Sequence, residues 1–306
     1  MFSCDQYLVP QTLDEALASM GRHRGAYRVV AGATDTLPAT RAGRWGDLHV
    51  PVVVDISGID ELRRVELQGD RIWIGATTSI QRFLDSPLLR EHLPVMPCCA
   101  VWFADDQLRE AATLGGNIVN ASPAADATPP LIAMNATVVL VRRDGGERRT
   151  RTMRLENFIT GPATTQLQEG ELVVGFECDS MAGYGAAFEK VGPRRSLVLS
   201  TVCVAALVRP DRDGQRFEDA RLAVGAIGPT PARLDDCERA LIGEKITRDV
   251  IRRAASLAST RVQSRSRRAY RSEVVANFVE QALLDALAHG DIRFDAPTPA
   301  VEMSYV

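Results

Sequence analysis

The chain has 306 residues, 45 % hydrophobic and 25 % charged, the profile of a soluble globular protein with room for two or three subdomains. Its net charge of −3 gives no overall field for nucleic acid or an anionic membrane, and no apolar run reaches the ~18–20 residues that span a bilayer. Six scattered cysteines without a C-x-x-C pair and four isolated histidines argue against an iron–sulfur cluster or zinc in this chain. The N-terminus lacks the basic and apolar regions of a secretory signal, so a cytoplasmic location is expected.

In chain order, Thr12-Leu13-Asp14-Glu15 has capping-box spacing and opens an amphipathic helix to about Met20. Strand 27–31, a short helix near 37–41 and strand 50–55 complete a small α/β unit over residues 1–56. A hairpin follows, 62–67 and 71–75 around Gln68-Gly69-Asp70, then helical stretches at 78–84 and 88–103. A short helix at 128–134, a second hairpin (136–142, 147–153) and strand 171–178 complete a second unit over 57–180. Strands at 186–191, 199–208 and 219–227 precede helical patterns at 235–242, 247–260 and 272–289, which predicts an α+β domain over 181–290. Arg265-Ser266-Arg267-Arg268 lies among carboxylates without interleaved aromatics and reads as a solvated or subunit-facing surface. The tail, 291–306, reads as an arm onto a partner.

Residues 113–130, TLGGNIVNASPAADATPP, carry the strongest functional signal. The run is too polar for a core strand and reads as too rich in turn formers for a helix. Small residues let backbone approach a ligand, and the amides of a turn at Gly115 and Gly116 can converge on an anion. Asn117, Asn120 and Ser122 add neutral donors, and the oxygens of Asp126 suit ribose or ribityl hydroxyls. A second small-residue turn, Gly32-Ala33-Thr34, follows strand 27–31 directly. Neither segment is a G-x-G-x-x-G fingerprint or a P-loop; the two together suggest a nucleotide cradle closed from opposite sides.

The paired segments resemble the FAD-binding motifs AGGTD and T-[IL]-G-G-N-x-x-x-A-S-P-x-x-D of the flavoprotein (medium) subunit of molybdenum hydroxylases. That family includes the carbon monoxide dehydrogenase medium subunit and the xanthine dehydrogenase FAD-binding subunit. The resemblance covers nearly the whole chain. It implies an α+β fold, a two-part FAD-binding domain of the vanillyl-alcohol-oxidase type, then a smaller α+β domain with a three-stranded antiparallel sheet and helices. It implies that Val30, Ala31, Gly32, Ala33, Thr34, Asp35 and Thr36, with Thr113, Gly115, Gly116 and Asn117, hold the FAD pyrophosphate. Asn120, Ser122 and Asp126 would line the ribityl or ribose region. Lys190, in Lys190-Val191-Gly192-Pro193-Arg194, matches a K-V-G-x-R pattern whose cation favours reduced flavin. Leu172 is expected against the ring system, and Phe103 either stacks on it or fills core. The partners implied are a large subunit with a molybdenum–pterin cofactor and a small subunit with two [2Fe–2S] clusters, as a dimer of heterotrimers.

Two positions depart from the family pattern. Ala33 replaces a second glycine, so its methyl either pushes backbone from the phosphate or requires a negative φ. In the segment matching R-x-A-x-D-I-A, Val198 replaces the acid. No carboxylate or histidine pair has catalytic spacing, which fits electron relay rather than acid–base chemistry. Two alternatives stay open: a non-catalytic assembly subunit with a vestigial nucleotide site, and a free-standing flavin oxidase.

Overall fold

The computed structural model describes residues 2–41, 48–194, 198–264 and 266–290. The tail after Gly290, Arg265 and residues 195–197, all read above from sequence, lie outside the described residues.

The first sheet is parallel, in the order β1 (Phe2–Leu8), β3 (Leu48–Asp55), β2 (Tyr27–Val30). Strand β1 has no counterpart in the sequence reading: it is an edge strand, largely exposed, so its residues carry little apolar signal. The helix Leu13–Arg22 follows it, and Thr12 caps the helix as expected, its hydroxyl accepting the Glu15 amide at 3.2 Å. That helix buries Leu13, Ala16, Leu17 and Met20 against Val52 and Val54 of β3. The same core takes in Val139, Val141, Leu172 and Val174 from the second sheet, so one core joins the first helix and both sheets.

The second sheet is antiparallel: β4 (Val65–Gln68), β5 (Arg71–Gly75), β10 (Glu171–Asp179), β6 (Thr137–Asp144), β7 (Glu147–Arg154). A two-stranded ribbon, β8 (Ile159–Gly161) and β9 (Thr164–Thr165), lies between β7 and β10 in the chain. Arg151 on β7 reaches across β6 to Glu171 on β10, with two guanidinium–carboxylate bonds of 2.6 Å. Between β5 and β6 run several short helices rather than the two longer ones read from sequence. Only Arg82–Asp85 is helical in the first stretch, and the second is divided into Pro87–His92 and Val95–Ala100. The break falls at Leu93-Pro94, where the ring of Pro94 disfavours helical geometry in the residue before it.

The C-terminal sheet has four strands rather than three: β11 (Gly185–Val191), β12 (Val202–Pro210), β13 (Phe217–Gly225) and the two-residue β14 (Ala232–Arg233). Strand β12 is buried on both faces, which explains its near-continuous apolar sequence. Cys203, Ala205 and Leu207 face the short helices of the second unit; Val202, Val204, Ala206 and Val208 face helices Arg248–Ser256 and Arg268–His289. Arg271 ties the long last helix to this sheet through the carbonyls of Thr201 and Ala226.

The Arg151–Glu171 pair yields a pH-dependent prediction. The Arg151 hydrogen bond holds the Glu171 carboxyl below its ordinary 4.5, so the pair contributes stability above that pH and loses it as pH falls through the folded value. Replacing Arg151 with Met strands a buried carboxylate. The expected cost at pH 7 is about 2 kcal/mol, below the range for a fully buried pair because Arg151 keeps part of its surface in water. Urea unfolding should show this gap at pH 7 and a clearly smaller one at pH 3.

Candidate functional site

The loop leaving the carboxyl end of β2 faces the segment that enters helix Leu114–Val119, and a cavity of about 320 Å³ opens between them. A second cavity of about 250 Å³ continues it: Thr34, Asp35, Phe103, Ala112, Asn117 and Asn120 line both. The location follows the general habit of parallel sheets, which bind ligands beyond the carboxyl ends of their strands.

Direct backbone contact sets the two walls. A Cβ built on Gly32 would lie 1.8 Å from the Ala111 carbonyl oxygen, so only glycine lets the loop rest on that strand of chain. The facing segment is itself fixed to the residues after β5, with Leu114 N–H donating to Thr78 at 2.9 Å and Gly115 N–H to Ala76 at 2.8 Å. Residues 114–119, read from sequence as turn, form a helix because Thr113 caps it: its hydroxyl accepts the Gly116 amide at 3.1 Å. The two glycines have separate reasons. A Cβ on Gly115 would meet the Ala76 carbonyl at 2.7 Å, whereas one on Gly116 would meet only the capping hydroxyl, at 2.9 Å.

Most of the residues picked from sequence come together here. Residues 30–36, Phe103, Thr113, Gly116, Asn117 and Asn120 line the first cavity, and Ser122, Asp126 and Lys190 line the second. Two do not. Gly115 is buried in helix–strand packing, and Leu172 belongs to the core beneath the first helix, lining neither cavity. Sequence reading missed Arg28, Ala163 and Leu199, which line the walls, and Ser200 behind them. Arg28 was legible as a cation in strand 27–31, and burial holds its guanidinium below the ordinary value. Ala163 carried no signal of any kind.

The amides of residues 114–117 are occupied within the chain, by Thr78, Ala76 and Thr113, rather than turned to the cavity. Side chains therefore carry the polarity of that wall. The Thr113 hydroxyl accepts the Gly116 amide and keeps its hydrogen for donation. Asn117 Oδ1 is buried and has no hydrogen-bond partner, at a position lining both cavities. A buried amide oxygen without a donor costs about 1–3 kcal/mol, a cost the fold bears beside the cavity.

Lys190 and Asp126 meet at the wall of the second cavity. Alternation along β11 puts Lys190 on the same face as Ala186 and Phe188, toward the second unit. Its ammonium lies 2.5 Å from Asp126 Oδ2 and 3.3 Å from the Trp102 carbonyl, with 2 % of the side chain exposed. Burial pushes the Asp126 carboxyl above the usual carboxylate range; the Lys190 charge and hydrogen bond, then the Ser200 hydroxyl, pull it back. Among the described residues, no group of three His, Cys, Asp or Glu is placed to hold a metal ion, and no helix is long and apolar enough to cross a membrane.

Ala33 adopts φ 53°, so of the two outcomes weighed for its methyl, the negative φ does not occur. It is accommodated as a strained left-handed alanine, and Ala104 (φ 47°) and Ala163 (φ 53°) on the cavity walls repeat the pattern. Ala33→Gly should therefore raise stability by about 0.5–1 kcal/mol, while Gly115→Ala should lower it by about 1–3 kcal/mol through its clash with Ala76. Chemical denaturation of the two variants beside the parent chain reads both signs.

Comparison with known proteins agrees with this geometry. Residues 2–178 match the family model for the FAD binding domain in molybdopterin dehydrogenase, and residues 186–286 match the CO dehydrogenase flavoprotein C-terminal domain. The glyceraldehyde dehydrogenase medium chain of Sulfolobus acidocaldarius is 30 % identical over 274 residues, covering 88 % of this chain and 93 % of the relative. The putative xanthine dehydrogenase FAD-binding subunit of Escherichia coli (strain K12) is 27 % identical, covering 94 % and 98 %. The structure of carbon monoxide dehydrogenase from Hydrogenophaga pseudoflava superposes with a TM-score of 0.82 at 28 % identity, over 93 % of this chain and 97 % of that one. With both family models matched in order along the chain, this protein belongs to the FAD-binding flavoprotein subunits of the molybdenum hydroxylases.

Proposed function

We propose that this chain holds FAD along the two joined cavities and relays electrons from the [2Fe–2S] clusters of a small partner subunit to an external acceptor. A large partner would carry the molybdenum–pterin centre where substrate is oxidised, in a cytoplasmic dimer of heterotrimers. We also propose the unit boundaries near residues 56 and 180, each unit supplying part of the cavity wall. The observation that carries the reading is the shared trough: residues 30–36 line one space with Thr113, Gly116, Asn117 and Asn120, some eighty positions away.

The donor set suits the cofactor. Thr113 and Asn117, with the loop at 32–36, would hold the pyrophosphate end, and Asn120 and Ser122 the sugar-alcohol portion. Asp126 already spends its oxygens on Lys190 and Ser200, so it serves the cofactor through Lys190 rather than by binding hydroxyls itself. When bound, FAD supplies a carrier that accepts electrons singly and releases one or two. The chain's own residues bind it, exclude water with Phe103 and the small-residue walls, and hold a cation at the second cavity.

The two alternatives have less support. Ala33 is accommodated by a local backbone strain and does not fill the cavity, which weakens the vestigial reading. A free-standing oxidase needs a reactive acid, base or flavin tether; His49 is bonded to Ser3 and faces Asp5, and His92 is bonded to Ser180, with neither lining a cavity.

Asn117→Leu separates binding from folding. Removing the partnerless oxygen should leave the unliganded chain at least as stable as the parent, while FAD affinity falls about tenfold or more, the equivalent of ~1.4 kcal/mol. Flavin fluorescence titration and thermal unfolding test this together. Undiminished FAD affinity in Asn117→Leu would count against the placement of the cofactor.

A further inference from the structure

Behind the second cavity three buried polar side chains form a short relay. Ser200 Oγ donates to Asp126 Oδ1 at 2.5 Å, and Asp126 Oδ2 receives the Lys190 ammonium at 2.5 Å. Three separate segments supply them: the start of β12's approach, the loop before helix Thr128–Ala133, and β11. Ser200 is 7 % exposed, and its hydroxyl makes no contact with the cavity in its own right.

We propose that Ser200 is a positioning residue that acts through Asp126 to fix the place and the charge environment of Lys190 at the wall of the second cavity. The inference rests on the FAD reading above and deepens it. A buried carboxylate with a single ammonium partner has lone pairs to spare and some freedom to rotate; a second, neutral donor on its other oxygen removes that freedom. The hydroxyl also favours the charged form of Asp126 against the burial that opposes it; the buried thiols of Cys99 and Cys203 face the same carboxyl, and burial pushes both thiols up, keeping them neutral. With Asp126 ionised, Lys190 presents a cation whose countercharge stays constant with pH. With Asp126 protonated, the same ammonium would face the ring uncompensated and bias the cofactor toward its reduced, anionic form.

The test compares the parent chain with Ser200→Ala and Ser200→Thr. In the unliganded proteins, carbon-13 NMR of the Asp126 carboxyl should show it titrating at higher pH in Ser200→Ala and near the parent value in Ser200→Thr. In the FAD-loaded chain, the flavin reduction potential of Ser200→Ala should gain a pH-dependent step that the parent and Ser200→Thr lack. Across that step the ratio of affinities for reduced and oxidised flavin should rise about tenfold toward low pH, ~30 mV for a two-electron couple. A merely structural serine would lower stability in Ser200→Ala without moving either titration, and that result overturns the proposal. A parent chain that binds no FAD overturns the cofactor reading and this proposal with it. A parent that binds FAD, beside an Ser200→Ala variant with the parent's potential–pH curve, overturns this proposal alone.

Discussion

The site depends on one backbone contact, the loop at Gly32 resting against the carbonyl of Ala111. Two walls contributed by distant parts of the chain must keep a fixed separation if a long, thin ligand is to touch both. Here that separation is set by van der Waals contact between main chains, since a Cβ on Gly32 would fall 1.8 Å from the opposing oxygen. Side-chain bridges flex by rotamer changes; a main-chain contact yields only if a whole segment moves. The chain running on from Ala111 reaches Thr113 two residues later, so the contact that closes the seam also places the hydroxyl that caps the helix on the far wall.

This arrangement explains which parts of the site were legible in the sequence. Small residues in two clusters announced close backbone approach, and Gly32 and Gly116 do lie on the cavity. The adjacent Gly115 has the same letter and a different cause, its proximity to Ala76, a residue in another segment that no local pattern reveals. The same limit applies to helix Leu114–Val119. Its composition favours a turn, yet the Thr113 cap and the anchoring bonds to Thr78 and Ala76 hold it helical, and those partners are tertiary. Strongly periodic elements, such as the first helix and the β6–β7 hairpin, were legible because their partners are near neighbours. Leu172 reads from sequence as an apolar residue that could meet the ring system, but a central strand has two faces, and here it packs in the core of the first helix.

Lys190 illustrates how strand geometry converts a sequence letter into a placed charge. On β11, alternation sends Lys190 toward the cavity and its neighbour Glu189 toward the last helix, where burial and the nearby Asp285 push the Glu189 carboxyl up to about 7. A shift of one residue in the β11–β12 register would exchange the two and place a carboxyl at the second cavity. Register is held by β12, whose two faces are filled by different cores, so neither face tolerates the other's side chains. Packing far from the cavity therefore decides the sign of the charge inside it.

The site carries costs that the rest of the fold must offset. Ala33, Ala104 and Ala163 sit in left-handed conformations, at about 1–2 kcal/mol each, and Asn117 buries an oxygen without a donor. The three extended cores, which tie the first helix to the second sheet and the second sheet to the third, supply the burial that makes such costs tolerable. The strained cavity walls are thus carried by a framework whose burial lies elsewhere in the fold.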